Sequence, residues 1–105
     1  MSKIINVSSD YPEIVLRQTN VQGGILRFWY NYYNTTLYNT FINFYLIIND
    51  SLYESINEEL VPFQKGTNCQ SVRIGHNYEI DTLEIYCICG SNTMVKVKVL
   101  DFIII

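Results

Sequence analysis

The chain has 105 residues, of which 49% are hydrophobic and 16% charged, with a formal net charge of −3. That length makes one domain able to bury a core, and the composition excludes a disordered tail. The seven Lys and Arg form no run, so neither nucleic acid nor an anionic membrane surface is an expected partner. A surface this poor in charge invites self-association.

Met1 to Asn6 lacks the pattern of a signal peptide, and no apolar run is long enough for a membrane-spanning helix. The expectation is cytoplasmic synthesis without a signal peptide and no membrane insertion. Lys3-Ile4-Ile5-Asn6-Val7 is a short extended segment, broken at Ser8 to Pro12. Pro12 cannot donate to a ladder and biases Tyr11 to extended geometry. Residues 1–9 are therefore read as an N-terminal arm, with Lys3, Ile4, Ile5 and Val7 as its assembly residues. An ordinary edge strand is the alternative. Residues 10–105 form the domain.

Glu13 to Gln18 reads as a strand, and Asn20-Val21-Gln22-Gly23-Gly24 as a turn. Ile25 to Asn34 follows and is rich in aromatics. Trp29, Tyr30, Tyr32 and Tyr33 are candidates for a stacking platform for sugar or single-stranded nucleic acid. Aromatics that fill a core are the competing reading. From Asn39 to Ile48, Ile42, Phe44, Leu46 and Ile48 share one face of a central strand, closed by an Asn49-Asp50 hairpin turn. Ser51 to Leu60 fits a capped helix or a return strand, and we favour the strand.

Val61 to Asn68 is a loop, and Cys69 to Ile74 a strand turning at Gly75-His76-Asn77. Leu83 to Gly90 places Leu83, Ile85, Cys87 and Cys89 on one face. With Met94 to Val99 it suggests an antiparallel hairpin. The tail Leu100 to Ile105 is apolar on both faces apart from Asp101, so it should be buried on both sides. Phe102, Ile103, Ile104 and Ile105 are its packing residues. About eight short strands with regular turn signals predict an all-β, antiparallel β-sandwich of jelly-roll type.

No catalytic set can be assembled, so an enzyme is not expected, nor is a cofactor. His76 sits in a turn with no group to orient its ring. Cys69, His76, Cys87 and Cys89 lack the usual zinc-knuckle spacing. Glu58-Glu59 and Glu79, Asp81 and Glu84 read as solvated acids rather than a paired site. Cys87 and Cys89 stand about 6.5–7 Å apart with parallel Cβ vectors, a poor geometry for a disulfide. Three cysteines cannot all pair within one chain. Cys69, Cys87 and Cys89 are thus either cross-link candidates toward a neighbouring copy or buried thiols.

Phe44-Tyr45-Leu46-Ile47, Asn49-Asp50, Val61-Pro62, Gly66-Thr67, Ser71 to Ile74, Asp81 to Ile85, Gly90 and Val95 to Val99 follow one another in a familiar order. This series resembles the subunits of bacterial endospore appendages, pilus-like fibres on spores. The resemblance implies a jelly-roll subunit that stacks on copies of itself by β-sheet augmentation. It also implies a bridging arm, disulfide staples and an extracellular or spore-surface location. The chain departs from that pattern in having no cysteine between Met1 and Ser9. The alternatives are a viral jelly-roll structural protein and a carbohydrate-binding β-sandwich module.

Overall fold

Alternation of bulky apolar and polar residues builds six antiparallel strands and, among the described residues, no helix. The computed structural model describes residues 3–105, so Met1 and Ser2 of the expected arm lie outside the described residues. The strands are β1 (Ile5–Val7), β2 (Glu13–Asn34), β3 (Thr40–Ile48), β4 (Ser51–Leu60), β5 (Lys65–Cys89) and β6 (Val95–Ile104). They form one sheet in the order β1-β6-β2-β5-β3-β4.

There are six strands rather than about eight because two expected turns are corners within continuous strands. The N-terminal half of β2 pairs the C-terminal half of β5, from Glu13↔Cys87 to Gln22↔Glu79. Its C-terminal half pairs the N-terminal half of β5, from Gly24↔Ile74 to Tyr33↔Lys65. Between these registers Gly23 stands opposite the four residues Gly75 to Tyr78, and such an excess bends and twists a sheet. A Cβ on Gly23 would run into the Gly75 carbonyl, and one on Gly24 into that of Ile105. Two glycines therefore permit the close approach that curls the sheet into a half-barrel.

The curl buries one face of β3, of the C-terminal half of β2 and of much of β5. Phe28, Tyr30 and Phe44 meet at centroid distances of 4.8–5.7 Å, and Phe44 stands edge-on to both partners. Such pairs contribute about 0.5–1.5 kcal/mol each beyond the area they bury. Ile42, Phe44, Leu46 and Ile48 are buried, as expected for a central strand, and β3 lies between β4 and β5.

Three expectations are corrected. The Cys87 strand and the Val95 strand do not pair as a hairpin, because β2 lies between β5 and β6. The turn through Asn92, with φ 59°, instead carries the chain across to the far side of β2. The tail is not buried on both sides. Its outer side chains Ile103 and Ile105 are exposed, while Phe102 and Ile104 pack on the core. Ile25 and Ile105 also exchange two backbone hydrogen bonds of 2.9 and 3.0 Å, so the tail belongs to its own sheet. In the expected arm, Ile5 to Val7 pairs Val97 to Val95, and Val7 is fully buried. That part of the arm is an edge strand of its own molecule.

Candidate functional site

All strands run between two ends of an elongated body with extents of 44 × 23 × 22 Å. One end, the apex, gathers the 35–39, 61–64 and 90–94 connections. The other, the base, gathers the corners and the Asn49-Asp50 turn.

The apex is organised by Asn34, which is fully buried. Its Nδ2 donates to the Tyr38 carbonyl at 2.8 Å and the Val61 carbonyl at 3.0 Å. Its Oδ1 accepts from the Thr36 amide at 3.0 Å and the Thr36 hydroxyl at 2.7 Å. The Thr35 amide donates to the Met94 carbonyl at 3.1 Å, and the Phe63 amide to that of Thr36 at 3.1 Å. Beside them, Thr40 Oγ1 accepts from the Gly90 amide at 2.9 Å and lies 2.7 Å from Thr93 Oγ1. Three loops are thereby locked together with their buried polar groups satisfied.

This locked framework presents apolar side chains outward. Leu37 is 71% exposed, Tyr38 63% and Phe63 50%, and Val61 and Met94 stand with them. None of the three loops contains a charged residue. Loop tips are normally polar, so an uncharged apolar tip on a rigid base is a built surface.

Phe63 is the most informative of these residues. Val61-Pro62-Phe63-Gln64 closes with the Gln64 amide donating to the Val61 carbonyl at 3.1 Å, and Phe63 has φ 56°. Proline at the second position and positive φ at the third define a type II turn, which takes Gly or Asn at the third. Holding a bulky residue there costs about 1–2 kcal/mol. The strain and the exposure fall on the same side chain.

The residues singled out in the sequence are dispersed. Cys87 and Cys89 face the core, and burial pushes the Cys87 thiol well above its ordinary range and raises that of Cys89. They are therefore not placed to staple neighbours. The Cys89 thiol lies 3.3 Å from the Val7 carbonyl. Cys69 is half-buried on the outer face, directly opposite Trp29. No three of the His, Cys, Asp and Glu side chains are gathered around a metal position among the described residues. The aromatic platform divides by strand parity: Tyr30 is buried and Tyr32 packs on the core, while Trp29 and Tyr33 lie on the outer face. The Tyr30 hydroxyl donates to Glu58 and accepts from Gln70 Nε2 at 3.1 Å. Burial first, then the bond to Glu58, pushes that phenol well above its ordinary range.

Reading strand by strand missed two features. One is the apex, whose signal was a Phe following Val-Pro in a turn. The other is the gathering of cations by strand register, which has no local signal.

The architecture defines a small all-β domain built on one curled antiparallel sheet. No family model and no curated protein matches the chain. Among solved structures, PorU from Porphyromonas gingivalis, described as a dimeric latent form, is similar over 93% of this chain and 10% of its own. The identity is 12% and the TM-score 0.48, and the chain spans about a tenth of that protein's length. A likeness at that level carries no argument about function.

Proposed function

We propose that the protein is a non-enzymatic structural subunit that associates with copies of itself through its apex. The observation that carries this reading is Phe63, a half-exposed aromatic ring held at φ 56° where the turn favours Gly or Asn. Strain of this kind collects where a surface is used. In the free molecule the strain and the exposed ring both cost stability, and only cover by a partner offsets them.

The receptor is the open edge of β6. Among the described residues, β6 pairs β1 only through Val95 to Val97, so its outward edge from Lys98 onward has no strand partner. Leu100, Ile103 and Ile105 are exposed along it. A crevice of about 330 Å³ separates Val99 to Phe102 from Val15 to Gln18 of β2. The exposed apolar side chains of a neighbour's apex cover this edge and enter the crevice beside it. A head-to-tail contact of apex on edge does not close on itself and gives a filament. The endospore-appendage pattern, with a jelly-roll-type subunit in an extracellular or spore-surface fibre, is the setting we propose. Stapling in that setting falls to Cys69, and one accessible thiol joins copies in pairs rather than in a ladder.

Electron microscopy of the purified chain across a concentration series tests the reading. Filaments are expected to appear with rising concentration. Dispersed single particles at every concentration would refute it.

A further inference from the structure

Strand register gathers the cations on one outer face. Ile25, Arg27, Trp29, Asn31 and Tyr33 alternate with the buried Leu26, Phe28 and Tyr30, so they point away from the core. Directly across β5 from them stand Arg73, Ser71, Cys69, Thr67 and Lys65. Across β6 stand Ile103, Asp101, Lys98 and Lys96, opposite Arg27, Trp29, Asn31 and Tyr33. Directly opposed residues share a face. Five of the seven Lys and Arg of the chain, but only Asp101 of its ten Asp and Glu, therefore lie on this surface. A chain of net charge −3 thus carries a cationic sheet face.

The face is also aromatic and hollowed. Lys65 Nζ sits 5.9 Å from the centre of the Tyr33 ring. An open groove of about 500 Å³ is bordered by Tyr33, Lys65, Thr67, Lys96 and Lys98, with Ile4 at its rim. Asn31 accepts from the Thr67 hydroxyl at 2.6 Å on its floor. Trp29 lies two positions along from Asn31, half-buried, between Cys69 on β5 and Asp101 on β6.

We infer that this face, from Arg73 and Arg27 past Trp29 to the Lys65–Lys96–Lys98 groove, binds single-stranded nucleic acid. Charge complementarity selects a polyanion. Two ring systems on the same strand, about 13 Å apart, select one that carries flat bases. Cations stand on both sides of Trp29, with Arg73 and Arg27 toward one end of the face and Lys98, Lys65 and Lys96 toward the other. Lys96 and Lys98 are about 6.7 Å apart along one strand, near the spacing of successive phosphates. A grooved three-stranded face carries no helix or protruding ribbon to enter a duplex groove, so the single strand is favoured over the duplex.

Fluorescence anisotropy tests this with the full chain at a concentration where it is monomeric. The probes are a labelled mixed-sequence single-stranded DNA of about 15 nucleotides and its RNA equivalent, the range occupied by one small β domain. Binding is expected to weaken with salt at a log–log slope near −3, about −0.7 for each of four or five neutralised phosphates. Trp29 fluorescence should be quenched as bases stack. Trp29→Leu should weaken binding about tenfold. Lys65→Gln with Lys96→Gln should weaken it and reduce the slope by about 1.4. Both lysines are exposed, so that variant is expected to fold, and an unchanged melting temperature verifies it. Arg17→Gln, on the opposite half of the sheet beside Glu84, should change nothing.

Four outcomes would overturn the inference. They are no binding of either probe at 50 mM salt, equal binding of the duplex, binding of a sulfated polysaccharide at equal strength without quenching, and indifference to the double lysine substitution. Because the measurement uses monomer, its failure leaves assembly through the apex standing, and the reverse also holds.

Discussion

The two ends of the molecule are each clamped by one asparagine, yet they differ in how far they obey local rules. At the base, Asn49 and Asp50 both have positive φ, 50° and 65°, in a two-residue hairpin turn that favours Asn and Asp. Asn49 also accepts from the Asp81 amide at 2.8 Å and the Thr82 amide at 3.2 Å, and donates to the Glu79 carbonyl at 3.1 Å. Every local preference there agrees with the fold. At the apex, Asn34 is the better clamp, but the neighbouring turn carries Phe63 where its geometry favours Gly or Asn. At the Asn49-Asp50 turn, local preference and fold ask for the same residues. The apex gives up some stability to hold an apolar ring in water.

The largest way to sharpen this contrast is to remove the clamps. Asn34 is fully buried, so Asn34→Ala removes four hydrogen bonds at once. It leaves the Tyr38 carbonyl and the Thr36 amide without their protein partner, while the Val61 carbonyl keeps only the Gln64 amide. The expected loss is about 3 kcal/mol in urea unfolding, with faster amide exchange through the three apical loops. Asn49 makes nearly as many bonds, but in exposed surroundings where water replaces them. Asn49→Ala should therefore cost about 1 kcal/mol. Equal losses at the two sites would mean that burial does not separate the ends.

Between these two in size, when read at about pH 10, is the titration of the core that both ends share. Cys87 and Tyr30 have their pKa values raised from ordinary values of 9.0 and 10.0, chiefly by burial. A raised folded-state value means that the fold holds the neutral form. The stabilisation is complete below the unfolded value and is lost as pH climbs toward the folded one. Stability should fall above about pH 9, by roughly 1.4 kcal/mol per pH unit for each group past its unfolded value. Urea midpoints from pH 7 to 11 check this. Cys87→Val should make the fall above about pH 9 shallower, leaving the smaller part due to Cys89, whose thiol is also raised from 9.0 by burial. An unchanged slope would remove Cys87 from the account.

Much of the fold was legible where one side of a strand is buried and its neighbour is next in sequence. Ile42 to Ile48 with its Asn49-Asp50 turn is the clearest instance, because period-two alternation and turn chemistry point the same way. The corners at Gly23 and Gly75 were not legible as corners, since a glycine pair marks a hairpin and a bend alike. The pairing of β6 with β2 rather than β5 is non-local, and no spacing encodes it. The same holds for the cationic face. Arg27, Lys65, Arg73, Lys96 and Lys98 are scattered over three strands and meet only through the ladder. The tail misled for a different reason. Ile103 and Ile105 are apolar but exposed, and hydrophobicity alone cannot mark an unpartnered surface.

The most direct measurement compares Phe63→Asn with the natural chain by sedimentation velocity and urea unfolding. Asparagine suits the left-handed turn position, so the variant should gain about 1 kcal/mol while losing the apical ring. It should sediment as a monomer at concentrations where the natural chain has assembled. A natural chain that is itself monomeric throughout, or a stabilised variant that assembles just as well, would contradict the assignment of the apex as the associating surface.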